Sequence, residues 1–379
     1  MRKRIIIMTS LKKNKVVLGL SGGVDSTAAA LLLQKQGYEV IGLYFSIRED
    51  EDARRRAQAV ADQLGIELIC RDMSKCFAEV VIENFCSEYM KGRTPNPCII
   101  CNPAVKFRAL TEAADEKGAY HIATGHYADT YHDEDADMWY IRRAANERKD
   151  QSYMLYRLGQ DVISRLLLPL SDAHDKEQVR DIAREKSIIN AEAKDSQEIC
   201  FIEPGDDYKN FLKRKGLVAP AGDFTDADGN VLGKHQGILN YTIGQRKGLG
   251  IALGKPAFVT AIDGKENRVV LGSNEDLFDR QVISEDNILM GINFGKPCCG
   301  DGAEEAASIG FIGQMEDLTA KIRYAAKPAE AEIELLPGGR IKTVFKDPQR
   351  AATPGQSIVF YKNDLVIGGG FITQKEDMK

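Results

Sequence analysis

Two stretches of this sequence carry residue types that can do covalent chemistry. The first, Gly19-Leu20-Ser21-Gly22-Gly23-Val24-Asp25-Ser26, combines glycines with two hydroxyls and a carboxylate. Glycine lets a backbone approach an anion closely, hydroxyls donate to its oxygens, and a helix starting at the end of such a loop adds unpaired amides and a positive dipole end. A phosphate or pyrophosphate suits that set. The loop is neither GxxxxGK[ST], whose lysine grips the β and γ phosphates, nor GxGxxG. The competing reading is a tight strand-to-helix turn with no ligand. The second stretch, Thr94-Pro95-Asn96-Pro97-Cys98-Ile99-Ile100-Cys101-Asn102, holds two thiols at CxxC spacing. On spacing alone this is half a zinc site, a redox pair or part of an iron-sulfur site. No second CxxC completes a four-cysteine zinc site, but Cys200, in the polar stretch 194–201, could meet the first loop in space.

The elements around these stretches indicate how they are held. Residues 15–20 read as a strand, 26–36 as an Ala/Leu-rich helix closed by Gly37, and 38–45 as a second strand. Helix at 52–64, strand at 66–72, helices at 77–90 and 103–117 and strand at 120–125 continue the alternation, with the TPNPC stretch as a proline-stiffened loop between helices. Such alternation implies a doubly wound parallel sheet, whose ligands lie beyond the carboxyl ends of the strands. By that rule Phe45, ending the second strand, could pack on a purine, with a core position the equal alternative. Gly125, after the strand at 120–124, permits close approach to ribose or adenine. Two further helices are expected at 151–158 and 176–188. From about residue 206 the texture turns to glycine-rich turns between short runs, and beyond residue 281 to alternating strands that suggest a small antiparallel barrel. The expected division is 11–205, an α/β catalytic domain; 206–281, a small central linker domain; and 282–379, a C-terminal β-barrel.

With 379 residues and 43% hydrophobic content, the chain has ample core for roughly two or three domains, which excludes disorder and fibre. Apolar runs are far shorter than the ~20 residues of a membrane span, so a cytoplasmic protein without membrane contact is expected. A net charge of −5, from 51 basic and 56 acidic residues, gives no global footprint for nucleic acid. Any polyanion must be held by local patches. The 8 cysteines are too dilute for a disulfide scaffold. Cys70, Cys76 and Cys86 read as small buried residues or helix-face bystanders, and neighbouring Cys298 and Cys299 have no assigned role.

The SGGVDS string resembles the loop of the N-type ATP pyrophosphatases (PP-loop enzymes), which cut ATP between the α and β phosphates and pass AMP to a substrate oxygen. That resemblance implies ATP bound along residues Gly19 to Ser26, with Mg2+ placed partly by Asp25. Taken with TPNPCIICN, ATGHYA (residues 123–128), KDQSYML (149–155), KDSQEICFI (194–202) and YTIGQRKGLG (241–250), in this order, the chain is similar to the bacterial tRNA-specific 2-thiouridylases of the MnmA type over about residues 15–372. The resemblance implies ATP-dependent 2-thiolation of the wobble uridine of certain tRNAs by a monomer. Adenylation makes the C2 oxygen a leaving group, and a cysteine persulfide supplies activated sulfur. It further implies that Cys200 carries the persulfide delivered by a sulfur-donor protein, and that Cys101 is the partner nucleophile that ends in a disulfide with Cys200. Asn96, Pro97 and Cys98 would face the flipped-out uracil. Family members carry Asp or Cys at that last position, and cysteine here casts doubt on any acid/base role for a carboxylate. It also leaves open a three-thiolate set, Cys98, Cys101 and Cys200, able to hold a [4Fe-4S] cluster with one open iron site.

Basic clusters are scattered along the chain, and a solvated surface is the ordinary reading of each. The resemblance selects His126, Lys149, Asp150 and Gln151 near the active loop, Arg323 with Tyr324, and Gln356 as tRNA contacts. Two other functions compete: a PP-loop synthetase forming an amide or amidine on a small molecule without cysteine chemistry, and a non-catalytic RNA-binding protein with a degenerate loop.

Overall fold

A computed structural model of the chain describes residues 12–173, 175–185, 199–203, 205–290 and 317–374. The polar stretch 194–198 ahead of Cys200, the end of the helix expected at 176–188, and Cys298 and Cys299 lie outside the described residues. By its internal contacts the chain divides into two compact units. One comprises Met1–Val81, Cys98–Phe201 and Asp364–Val366; the other comprises Ile82–Pro97, Ile202–Asn363 and Ile367–Lys379.

The first unit is built on β1 (Lys12–Gly19), α1 (Val24–Lys35), β2 (Glu39–Ser46), α2 (Glu51–Leu64) and β3 (Leu68–Asp72). A helical run follows, in which α3 (Ser74–Phe77) leads through a π turn, Ala78–Ile82, into α4 (Glu83–Met90), which belongs to the second unit. Then come α5 (Pro97–Cys101), a second π turn at Asn102–Lys106, α6 (Phe107–Lys117) and β4 (Ala119–Ala123). A hairpin of β5 (Ala128–Asp133) and β6 (Met138–Arg143), a short helix α7 (Gln160–Ile163), β7 (Leu166–Leu167) and α8 (Lys176–Glu185) complete it. The expected helix at 151–158 is one 3-10 turn, Ser152–Leu155.

The sheet order is β3-β2-β1-β4-β7, with every neighbouring pair parallel. Central strands of such a sheet are covered on both faces and need apolar residues throughout rather than in alternation. Val16, Val17 and Leu18 of β1 accordingly have no exposed surface. Helix α1 turns Ala28, Ala29, Ala30 and Leu33 inward, and its small side chains let the helix lie close to the strands. Asp50 caps α2 by accepting the Ala53 amide at 2.8 Å, while Gly65 and Gly118 end α2 and α6 in the left-handed conformation. The chain runs outward from β1 through β2 to β3, then crosses back to place β4 on the other side of β1. That reversal opens a crevice at the carboxyl ends of β1 and β4, where ligands of open α/β sheets bind.

One local expectation is corrected. The TPNPC stretch is not wholly loop, because Pro97–Cys101 forms a helical turn. Proline is well suited to the first position of a helix, where its missing N–H costs nothing. Pro103 is accommodated at the start of the second π turn.

In the second unit, α9 (Tyr208–Arg214) precedes a four-stranded sheet of β8 (Gly222–Thr225), β9 (Val231–His235), β10 (Phe258–Asp263) and β11 (Arg268–Gly272), ordered β10-β11-β8-β9. The last part of the chain contains β12 (Phe278–Leu289), β13 (Leu318–Lys321), β14 (Ala329–Leu336), β15 (Arg340–Arg350), β16 (Ser357–Lys362) and β17 (Leu365–Ile372). Their order is β12-β15-β14-β13-β16-β17, and antiparallel pairing of β17 with β12 closes the barrel. Val282, Ile341, Phe345, Ile358 and Phe360 fill its interior. The doubly wound parallel sheet and the C-terminal antiparallel barrel expected from sequence are both present. No described helix is long and apolar enough to cross a membrane.

Candidate nucleotide and thiol site

The crevice between the ends of β1 and β4 encloses about 250 Å³, lined by Gly19, Leu20, Ser21, Asp25 and Ser26 on one side and Thr124, Gly125 and His126 on the other, with Leu43, Tyr44, Phe45, Lys106 and Gln151. Its floor is the loop from β1 into α1. Ser26 Oγ donates to the Gly23 carbonyl at 3.0 Å and lies 3.1 Å from Ser21 Oγ, so the hydroxyls brace the loop as well as face the crevice. Gly22 has φ +77, and a Cβ there would meet the Ala57 amide nitrogen of α2 at 2.8 Å, so only glycine fits. The N-cap of α1 is Gly23, which brings no side chain to cap the helix, leaving the amide end facing an anion site. Val24, buried, anchors that end in the core.

Gly125, expected to admit a ribose or adenine, has a second reason to be glycine. A Cβ on it would lie 2.9 Å from the Asp25 carbonyl carbon and 3.0 Å from the Ser26 amide nitrogen. The end of β4 therefore rests directly on the first turn of α1. Phe45 lines the crevice, half-buried, beside Tyr44, which is buried.

The polar wall is a short chain of contacts. Tyr127 Oη donates to Asp25 Oδ1 at 2.7 Å, and the Tyr127 amide donates to Gln151 Oε1 at 3.0 Å. His126 stands between Thr124 Oγ1, 2.8 Å from its Nδ1, and Lys106 Nζ, 3.3 Å from its Nε2. Burial, with the neighbouring Lys106 charge, holds the His126 imidazole well below its ordinary 6.5. A neutral ring facing an ammonium must accept at Nε2 and carry its proton on Nδ1, which assigns the tautomer from the network.

Cys98 and Cys101 lie on α5, and neither they nor Cys200 is in a disulfide. Burial pushes the Cys101 thiol up to about 12, against the opposing charge of Lys106, and Cys200 and Cys98 push it the same way. Cys200 is raised as well, by burial first and then Cys98, against Lys106 and Arg48. Each sulfur is thus an electrostatic neighbour of another across α5 and the chain at 200. Asn102 fixes the far end of α5: it is buried, and its Nδ2 donates to the Met154 carbonyl at 2.8 Å. Among the described residues no group of three His, Cys, Asp or Glu side chains is arranged to hold a metal ion.

The expected RNA contacts fall in several settings. Pro97 opens α5 and Asn96 precedes it, both half-buried. His126 and Gln151 are part of the crevice wall. The Asp150 carboxylate is buried, accepting the Ala144 and Ser152 amides at 3.1 and 3.2 Å and the Ser152 hydroxyl at 2.8 Å, so it shapes the loop from within. Neighbouring Lys149 is half-buried. In the second unit Arg323 donates to the Arg350 carbonyl at 2.8 Å, and Tyr324 lies under Lys321, whose Nζ is 5.8 Å from the ring centre. Gln356 donates to the Thr94 carbonyl at 2.8 Å, tying the barrel loop to the start of the TPNPC segment. A hollow of about 470 Å³ along residues 246–257 has only Arg246 and Lys255 as charged groups.

Sequence reasoning missed Lys106, Tyr127, Thr124 and Asn102. The last three sit inside the motifs already singled out, whereas Lys106 follows the second of those motifs by four residues and carried no signal of its own.

Family models match the chain in three places: a tRNA methyl transferase HUP domain over residues 14–204, a tRNA methyl transferase PRC-barrel domain over 209–273, and an aminomethyltransferase beta-barrel domain over 304–372. The chain is 44% identical over 378 residues to the tRNA-specific 2-thiouridylase MnmA 1 of Caldanaerobacter subterraneus subsp. tengcongensis, covering 96% of this chain and 98% of that protein. It is also 44% identical over 376 residues to the tRNA-specific 2-thiouridylase MnmA of Clostridium botulinum, covering 96% and 99%. Among solved structures, a 4-thiouridine synthetase–RNA complex with bound ATP aligns with 49% of this chain and 44% of its own, at 19% identity and a TM-score of 0.34, a likeness too slight to carry an argument.

Proposed function

Because this chain belongs to the family of the tRNA-specific 2-thiouridylases of the MnmA type, we propose that it uses ATP to replace the C2 oxygen of the wobble uridine of certain tRNAs by sulfur. One observation carries the reading. The same helical run that holds Cys98 and Cys101 also sets Lys106 in the wall of the crevice at β1 and β4, so nucleotide and thiol chemistry share one site.

In this reading the loop from Gly19 to Ser26 receives the ATP phosphates on backbone amides and hydroxyls, Phe45 packs on the base, and Gly125 admits the ribose side. Asp25, half-buried and held by Tyr127, has the chemistry of a magnesium ligand, and the ion would neutralise phosphate charge there. The uracil, flipped out and faced by Asn96, Pro97 and Cys98, presents its C2 oxygen to the α-phosphorus. That attack releases pyrophosphate and leaves AMP on the oxygen. Cys200 carries a persulfide delivered by a donor protein. Its terminal sulfur forms the bond to C2 as AMP departs, and the Cys101 thiolate attacks the inner sulfur of Cys200. The sulfur–sulfur bond of the persulfide breaks as a Cys101–Cys200 disulfide forms, and the base keeps the terminal sulfur as its thiocarbonyl. Two cysteines are oxidised, the transferred sulfur is reduced, and a thiol reductant restores the pair for the next turnover.

His126, Lys149 and Gln151, with Arg323, Tyr324 and Gln356 in the barrel, are the tRNA contacts of this proposal, and three domains (11–205, 206–281 and 282–379) share the RNA. The enzyme works as a cytoplasmic monomer. The test is thiolation of unmodified tRNA with ATP and a persulfide donor, read as 2-thiouridine by nucleoside mass spectrometry. Cys101→Ser and Cys200→Ser should each abolish the product while pyrophosphate release persists. Full thiolation by both variants would overturn the sulfur route.

A further inference from the structure

Two arginines of the second unit converge on one aromatic ring that the mechanism above does not use. The guanidinium carbons of Arg246 and Arg350 lie 6.0 and 5.7 Å from the centre of Phe258, the first residue of β10. Arg71, Arg93, Arg142, Arg165 and Arg214 each pair with a carboxylate, whereas among the described residues Arg246, Arg350 and neighbouring Arg323 pair with none. Arg350 Nε donates instead to the neutral side-chain oxygen of Asn274 at 3.3 Å, although Glu275 and Asp276 follow that residue directly. Arg323 Nη1 donates to the Arg350 carbonyl at 2.8 Å, which keeps a third cation beside the same strand end.

Backbone bonds hold the two guanidinium groups together. Gln245 pins the turn that carries Arg246: its side-chain oxygen accepts the Thr242 amide at 3.1 Å, and its Nε2 donates to the Lys247 carbonyl at 3.0 Å. The Gly244 amide donates to the Val259 carbonyl at 2.8 Å and the Val259 amide to the Gln245 carbonyl at 3.0 Å, which ties the turn to β10 beside Phe258. Gly244 has φ +86, and a Cβ on it would stand 3.7 Å from Arg350 Nη1, so the turn also approaches the second guanidinium. Arg350 ends β15, and the following Ala351, at φ 56, bonds its amide to the Leu277 carbonyl at 2.7 Å. Arg246 is exposed and also lines the hollow along residues 246–257, where the other charged group is Lys255. Like charges gathered this way repel, and an anion placed among them relieves the repulsion.

We propose that Arg246 and Arg350, packed on Phe258, form a phosphate-binding site for the tRNA backbone, with Arg323 and Lys255 flanking it. The inference rests on the tRNA reading above. A guanidinium presents a planar fork of N–H donors that matches phosphate oxygens, and it keeps its charge at any working pH. The Phe258 ring restrains both side chains without neutralising either, so little freedom remains to be lost when the anion arrives. Contacts to the sugar-phosphate backbone fix register and orientation and carry no sequence information. The pair therefore contributes equally to every tRNA the enzyme accepts. It also supplies the local cationic patch that a chain of net charge −5 needs for a polyanion partner.

The test is binding of unmodified full-length tRNA to the full chain, followed by fluorescence anisotropy across a salt series. Losing one phosphate contact lowers the slope of log affinity against log salt by about one and weakens binding roughly tenfold at about 0.1 M salt. Arg246→Gln and Arg350→Gln should each do this, and the double variant should show twice the slope change. Arg246→Lys should keep the slope, because the charge and not the packing sets it. Arg71→Gln removes an equal charge from a guanidinium already paired with Glu112 and Glu116, and its slope should match wild type. An unchanged slope in the folded double variant overturns the proposal, and it is the result expected if the pair docks an acidic protein instead. Arg246 is exposed, so if the double variant does not fold, Arg246→Gln alone decides by the same criterion. The wild-type chain separates the two layers: absence of salt-dependent tRNA binding sinks the tRNA reading itself, whereas wild-type binding with an indifferent double variant sinks only this site.

Discussion

Substituting Gly125 by alanine tests whether the end of β4 sets the position of the phosphate loop. A Cβ at this residue would stand 2.9 Å from the Asp25 carbonyl carbon, 3.0 Å from the Ser26 amide nitrogen and 3.1 Å from the Asp25 carbonyl oxygen. All three belong to backbone and cannot swing aside. Ordinary contact begins near 3.4 Å, so the first turn of α1 must retreat by about 0.5 Å. The φ of Gly125 is not in the left-handed region, so the methyl adds crowding without backbone strain. Overpacking of this kind costs about 1–3 kcal/mol. A misplacement of 1 Å in a reacting group costs about 100-fold in rate, so half that distance gives roughly tenfold. The assay is pyrophosphate release from ATP with unmodified tRNA, alongside denaturant unfolding. Gly19→Ala is the control for stability: its nearest neighbours would be 3.9 Å away, and the unfolding transition should stay near wild type. The reasoning is refuted if Gly125→Ala releases pyrophosphate at the wild-type rate, or if Gly19→Ala is the less stable of the two.

Three further outcomes are expected. Tyr127→Phe removes the 2.7 Å donor to Asp25, and hydrogen bonds to charged groups are worth about 1.5–3 kcal/mol, so denaturant unfolding should lose stability of up to that order and pyrophosphate release should slow. Asn102→Ala loses the buried bond to the Met154 carbonyl and should cost about 1–3 kcal/mol in denaturant unfolding, with sulfur transfer impaired more than pyrophosphate release because α5 loses its anchor. The folded protein keeps His126 neutral well below 6.5, whereas the unfolded chain takes up a proton there, so stability falls as pH drops through 6.5. His121 and His235 are depressed by burial too, and the difference between wild type and His126→Gln in denaturant unfolding from pH 7.5 to 5.5 isolates the share of His126.

What the sequence made legible was local or periodic. The phosphate loop needs glycines, hydroxyls and a carboxylate in unbroken succession, and the barrel strands advertise themselves by alternation. Pro97–Cys101 read as loop because two prolines flank an asparagine, although the second proline opens a helix. The family resemblance, not its own neighbours, put Asp150 among the RNA contacts. Its partner is Ser152, two residues on, and that Asp-x-Ser spacing is the signature of a side chain folding back on its own backbone. Lys106 could not be placed, because its entry into the crevice wall beside His126 follows a helical turn with one extra residue, which apolar periodicity does not encode. The contact of Gly125 with α1 is likewise tertiary, joining residues about 100 apart in sequence.

The central claim is that nucleotide and thiol chemistry at one site put sulfur on a tRNA uridine. The most direct measurement incubates the purified protein with unmodified tRNA, ATP and a persulfide donor, then digests the RNA and quantifies 2-thiouridine by mass spectrometry. The account predicts one thiolated uridine per tRNA, dependent on ATP and lost in Cys200→Ser. ATP consumed without any thiolated nucleoside, or thiolation that survives Cys200→Ser, would contradict it.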